Sequence, residues 1–165
     1  MLKGQDILVL AVLIGTEETL PYLEIAEKAQ ISVSEAHAAV KRLQASSLLN
    51  TDRRIIRHNA EEFLVHGLRY TFPLRTVSAW SVGMPTAYAA PVAEDAFAIV
   101  GHCPVWCGSE GTVSGVGIEP IYVSAPRAAR RDQGLYDRLA LIDMLRGGRV
   151  RERRYAEEKI KGMLV

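Results

Sequence analysis

The first apolar block of the chain, Ile7 to Ile14, contains no polar position, so the helix it predicts over Leu2 to Ile14 is apolar on every face. Such a helix is buried all round, either as the central helix of a core or with part of its surface in a dimer interface. After Gly15 and the polar Thr16 to Thr19, Pro21 suits a first helical turn, and Leu23, Ile25, Ala26 and Ala29 give an inward face to a short second helix ending near Gln30. Ile31 to Ser34 then reads as a turn whose serine hydroxyls can cap the next helix. Ala36, Val40, Leu43 and then Ser47 or Leu48 recur every three or four residues and predict a third helix with one face turned inward.

Leu48 to Thr51 and Arg54 to Arg57 are short strand candidates, and the polar pair Asp52-Arg53 between them suits a hairpin tip, giving a small wing. Asn59 is placed to cap a fourth helix running through Phe63, Leu64 and Leu68 and ending by Pro73. From Phe72 to Pro126 the texture changes to apolar stretches broken by prolines and glycines. Strands are expected there at Ala96 to Val100 and Thr112 to Ser124, with Pro120 restricting the second to an edge or a break. Leu135, Leu139, Ile142 and Leu145 mark a further helix over 135–146, and Gly147-Gly148 separates it from another over 149–163. The expected fold is α+β: a winged helix-turn-helix over 1–75, then a mixed Pro/Gly-rich segment with short strands and C-terminal helices, 76–165, serving dimerisation or partner binding.

With 48% hydrophobic and 24% charged residues the composition is that of a folded globular protein. The apolar run at 7–14 falls far short of the ~20 residues a bilayer requires, and Asp6, Glu17 and Glu18 flank it, which fits neither a membrane span nor a signal peptide. The expected location is the cytoplasm, without membrane association. Cys103 and Cys107 are the only cysteines, so a core and not a disulfide framework must hold the fold.

The net charge of +1 argues against a generally basic nucleic-acid binder, but the charge is unevenly placed. Between Lys41 and Arg57 lie Lys41, Arg42, Arg53, Arg54 and Arg57 against Asp52 alone, a local electrostatic footprint. At ~100° per residue, the face of the third helix opposite Ala36, Val40 and Leu43 carries Ser34, Ala38, Lys41 and Arg42, with Glu35 and His37 at its margins. Ser34 can bond a phosphate, Ala38 can approach a thymine methyl, and Lys41 or Arg42 can reach a phosphate or a guanine edge. Arg53, Arg54 and Arg57 on the hairpin are placed to touch an adjacent backbone. The competing reading is a solvated helix face and a turn kept soluble by arginine.

Other constellations are weaker. His102-Cys103-Pro104-Val105-Trp106-Cys107 lacks the four nitrogen or sulfur ligands of a closed zinc site, and nothing supplies a base or oxyanion site for a cysteine nucleophile. These are expected to be buried or half-buried structural cysteines. Glu94, Asp95, Glu110 and Glu119 match no acid/base motif, and Gly111, Gly115 and Gly117 lack the strand-to-helix setting of a phosphate loop. No catalytic residue, metal or cofactor is expected.

The segment from Leu23 through Ala26, Ile31 and Ser34 to Val40-Lys41-Arg42-Leu43 resembles the helix-turn-helix of winged bacterial regulators of the MarR-like group. The resemblance implies a transcriptional regulator, a repressor by expectation, that binds double-stranded DNA as a homodimer. Gly67-Leu68-Arg69-Tyr70, Gly83-Met84-Pro85-Thr86, Ala90-Pro91, Glu119-Pro120-Ile121-Tyr122 and the run Asp143 to Arg154 are similar in layout to small winged-helix regulators encoded beside nucleotidyltransferase-like genes, the AbiE-type antitoxins. That likeness implies an alternative, an autoregulating antitoxin or interaction module whose later half contacts a toxin.

Overall fold

Helix α1 (Gly4–Ile14) is the axis of the molecule: every residue from Gln5 to Ile14 is buried. Five consecutive positions, Ile7 to Ala11, have no accessible surface at all. Each large aliphatic side chain so covered contributes about 1.5–3 kcal/mol relative to exposure. The cover comes from the same chain, because α2 (Tyr22–Ala29), α3 (Val33–Ala45) and α7 (Gln133–Gly147) all pack against α1. Of the two readings of this helix, the central core helix is therefore the observed one. The computed structural model describes residues 1–108 and 111–164 and is α+β.

After α3 the chain makes a tight hairpin, then α4 (Arg57–Glu62), a π-helical turn (Phe63–Gly67) and α5 (Leu68–Thr71) in unbroken succession. The expected strands at 48–51 and 54–57 reduce to a single bridge between Leu49 and Ile55. Arg57 already opens α4, so too few residues remain for a longer ladder. Asn59 does not cap that helix: Ile56 holds the cap position, and the Asn59 side-chain amide donates to the Ser47 carbonyl at 2.8 Å.

The middle of the chain departs most from expectation. Strand β1 (Thr76–Pro85) pairs antiparallel with both β2 (Cys103–Cys107) and β3 (Val113–Ile118), which run parallel to each other, closing a small barrel. No strand forms at 96–100, and the one expected over 112–124 stops at Ile118, two residues before Pro120. Strand β1 escapes the period-two rule because most of its length is exposed on both faces. The glycines there are sites of close approach rather than loop residues. A Cβ at Gly83 would collide with the Trp106 carbonyl, and one at Gly115 with that of Cys103. Helix α6 (Ala125–Arg131) was hidden by Pro126, which sits in its first turn, where proline is tolerated. Helices α7 and α8 (Val150–Met163) match the two expected C-terminal helices.

One apolar cluster runs from Ile7 to Leu164, with members on both sides of residue 75. Polar contacts reinforce the junction. Asp143 on α7 is 1% exposed, and its carboxylate accepts hydrogen bonds from Thr86 Oγ1 (2.7 Å), Trp106 Nε1 (2.8 Å) and Arg146 Nη1 (2.7 Å). Arg146 in turn donates to the carbonyl of Phe72 at 2.9 Å and to that of Glu119 at 3.4 Å. The pair thereby ties α7 to the end of α5, to β1 and β2, and to the chain leaving β3. Burial pushes the Asp143 carboxyl up, opposed by the Arg146 charge and the three donors. Tyr136, one turn into α7, donates to the Pro85 carbonyl, and burial raises its hydroxyl to about 12.

Asp143→Ala would leave the Arg146 guanidinium buried without its counter-charge and two donors unmet. The expected loss is about 3–5 kcal/mol of unfolding free energy, measured by urea denaturation. The exposed control Asp95→Ala should change stability by less than ~0.5 kcal/mol.

Candidate nucleic-acid interface

Helices α2 and α3 are joined by three residues with well-defined roles. Gln30 ends α2 in the left-handed conformation (φ 56°), and Ile31, partly buried against the core, returns its N–H to the Ala26 carbonyl at 3.0 Å. Ser32 then caps α3. Its hydroxyl accepts the Glu35 N–H at 3.1 Å while Glu35 Oε2 accepts the Ser32 N–H at 2.8 Å, a reciprocal capping box. These bonds to Ser32 hold the Glu35 carboxyl below its ordinary pKa. Ala26, Ala36, Ala39, Val40 and Leu43 are buried, so each helix turns a small or aliphatic face into the core.

Helix α3 is braced by an ion pair between the half-buried Arg42 and the buried Asp6. Arg42 Nε donates to both carboxylate oxygens of Asp6 (3.1 and 2.9 Å), and Nη2 donates to Asp6 Oδ1 at 2.8 Å and Gln5 Oε1 at 3.3 Å. Asp6 has no exposed surface. The carboxylate raises the guanidinium pKa further above its ordinary value. Arg42, expected on the outward face, is therefore turned back along the flank of α3 onto α1.

The remaining candidates divide in the same way. Ser34 and Lys41 are exposed, Ala38 is partly exposed between them, and the Lys41 ammonium has no hydrogen bond or ion pair among the described residues. On the hairpin, Arg53 has a left-handed backbone (φ 64°). Its Nη1 donates to the Leu20 carbonyl at 3.1 Å and its guanidinium lies 4.5 Å from the centre of the Tyr22 ring. Arg54 and Arg57 are exposed, and their guanidinium groups form no intramolecular ion pair among the described residues. They line an open groove of about 620 Å³ with Glu17, Glu18, Asp137 and Arg138.

The hairpin reaches α3 through a ring. Tyr22 lies under Arg53 on one side and 4.8 Å from the His37 imidazole on the other, so the wing candidate, the start of α2 and one flank of α3 form a continuous surface. The opposite flank carries Glu35 and Arg42 and faces a second groove of about 480 Å³ shared by Lys3, Gln5, Ser34, Ala38 and Tyr122. Tyr122 reaches Glu35 across 87 positions of sequence, which no local pattern announces.

The cysteine segment is strand β2. Cys103 is buried as expected, whereas Cys107 is exposed, and both thiols are free. His102 meets Trp80 edge to face at 4.8 Å, and no group of three or more His, Cys, Asp or Glu side chains comes together among the described residues. Glu94, Asp95 and Glu119 are exposed, and Glu110 lies outside the described residues. No helix among the described residues is long and apolar enough to cross a membrane. Comparison with known proteins returns no matching family model, no curated relative and no matching solved structure.

The two adjacent cations of α3 should part on mutation. Arg42→Ala strands the Asp6 charge in the core and is expected to cost about 3–5 kcal/mol in chemical denaturation. Lys41→Ala should stay within ~0.5 kcal/mol of the parent.

Proposed function

We propose that the chain is a winged helix-turn-helix transcriptional regulator of the MarR-like kind that binds double-stranded DNA in the cytoplasm, acting as a repressor. The observation that carries this reading is the outward stripe of α3. Ser34, Ala38 and Lys41 lie on one face of a helix whose opposite face is buried, and among the described residues the Lys41 ammonium has no hydrogen bond or ion pair. A cation left unpaired beside a hydroxyl and a small side chain suits a major groove, where sequence is read by base edges and position is set by phosphates. Arg54 and Arg57 supply further exposed cations on and just after the hairpin, with no ion pair among the described residues. Arg42 and Arg53 act inward: Arg42 orients α3 and Arg53 fastens the hairpin to Tyr22.

The chain is proposed to act as a homodimer, but not through α1, which is covered within one chain. The surface that supports self-association is the small barrel, where Val77 and Trp80 are 58% exposed and Val82 and Val113 are also open. An apolar face of this kind marks a protein interface. It equally favours the second reading, an antitoxin or interaction module with a nucleotidyltransferase-like toxin as partner, because DNA would not cover it.

Binding of the full chain to its selected site and to random duplex, at one fixed salt concentration, separates the roles. Lys41→Ala is expected to lose about 1–3 kcal/mol of preference for the selected site if the ammonium reads a base. Arg54→Ala and Arg57→Ala should each weaken binding to all sequences and lower the salt slope by about 1. Unchanged binding in all three variants would contradict the proposed function.

Light scattering at micromolar concentration tests the assembly. The wild type should have twice the mass of one chain, and the paired substitution Trp80→Ser with Val82→Ser should return the monomer. A wild type that stays monomeric with and without DNA would contradict the homodimer and leave the barrel face to the second reading.

A further inference from the structure

The flank of α3 opposite the hairpin is built from residues far outside the helix-turn-helix. The chain leaving β3 is tied to this flank and to the end of α2 beside it. The Tyr122 hydroxyl accepts from Gln5 Nε2 at 3.0 Å and donates to Glu35 Oε1 at 3.4 Å, the buried Ser124 hydroxyl donates to the Ala29 carbonyl at 2.8 Å, and Arg127 Nη2 donates to the Gln30 carbonyl at 3.2 Å. This segment therefore meets α3 at Glu35 and then packs on the end of α2, reaching the turn that precedes α3. Lys3 borders the same groove, and its place is set from within, because its backbone N–H donates to Asp6 Oδ2 at 2.8 Å.

Both cations are exposed. Lys3 shows no side-chain ion pair among the described residues, and Arg127 uses its guanidinium on one carbonyl with further donors in solvent. Glu35 lines the same groove as Lys3, and its carboxylate is already taken up by Ser32, Gln5 and Tyr122. At ~100° per residue, His37 on the hairpin flank and Glu35 with Arg42 on the groove flank fall on opposite sides of the stripe Ser34, Ala38, Lys41. A helix seated in a major groove ~12 Å wide has one phosphate backbone on each side.

We infer that Lys3 and Arg127 form a second phosphate-binding flank beside α3, gripping the DNA strand opposite the one met by the hairpin, so that the later part of the chain completes the DNA surface. This rests on the proposed DNA-binding function and extends it to a distant segment. The two cations are separated by more than a hundred residues of sequence, and only the fold brings Lys3 to the groove beside α3 and Arg127 to the turn that precedes it.

The test uses the full chain and a labelled random-sequence duplex of about 25 base pairs, titrated at several salt concentrations between about 50 and 200 mM. Lys3→Ala and Arg127→Ala should each lower the salt slope by about 1 and weaken binding without regard to sequence, and Arg127→Lys should restore the slope. Unchanged slopes in both alanine variants, with Arg54→Ala still flattening it, would overturn the second flank while leaving DNA binding intact. Wild-type protein that binds no duplex would overturn both. A loss in Arg127→Ala that Arg127→Lys fails to restore, accompanied by a lower Tm, would assign Arg127 to bracing the turn and overturn its part of the inference.

Discussion

Asp6 carries a charge within a helix that is otherwise apolar on every face, and a charge so placed has to be met inside the protein by opposite charge and hydrogen bonds. Arg42 meets it through both Nε and Nη2, and the backbone N–H of Lys3 adds a further bond. The apolar face Ala36, Ala39, Val40 and Leu43 turns Ser34, Ala38 and Lys41 outward, and Asp6, which cannot be left unpaired, holds Arg42 on one flank and so pins that rotation.

The Asp143–Arg146 pair does for the second half what Asp6–Arg42 does for the first. Sheet strands as exposed as β1 bury little on their own, and three short strands need an anchor against a helix to be stable. Trp106 supplies the apolar part of that anchor, being 1% exposed, and its indole N–H ends on the Asp143 carboxylate. Helix α7 packs against α1 as well, so the barrel, the C-terminal helices and helices α2 and α3 share one frame. Such sharing is what allows Tyr122 and Arg127 to stand beside a helix from the first third of the chain.

Where the chain obeys a local period, the sequence is a good guide. The uniform apolar run at 7–14 and the three-to-four spacing of Ala36, Val40 and Leu43 both mark helices with buried faces, a serine in the turn caps α3, and the structure realises each. The barrel was illegible for the opposite reason. Its glycines at 83 and 115 mark backbone contact between strands, a feature that in sequence is identical to a loop glycine. The candidate interface was half legible: outwardness on a helix can be counted, and Ser34 and Lys41 are where counting puts them. Side-chain direction at the margins cannot be counted. Arg42 and Arg53 are diverted by Asp6, Leu20 and Tyr22, partners that lie outside the local repeat.

The central claim is that α3 reads duplex DNA, and selection from a pool of duplexes with a randomised core tests it most directly. Repeated capture on the full chain should enrich a defined motif. For a homodimer it should be an inverted repeat whose half-sites lie about one helical turn, roughly 34–36 Å, apart. The enrichment should relax at particular positions when capture is repeated with Lys41→Ala. A pool whose composition is unchanged after capture, or a motif that Lys41→Ala and Ser34→Ala both leave intact, would contradict the account.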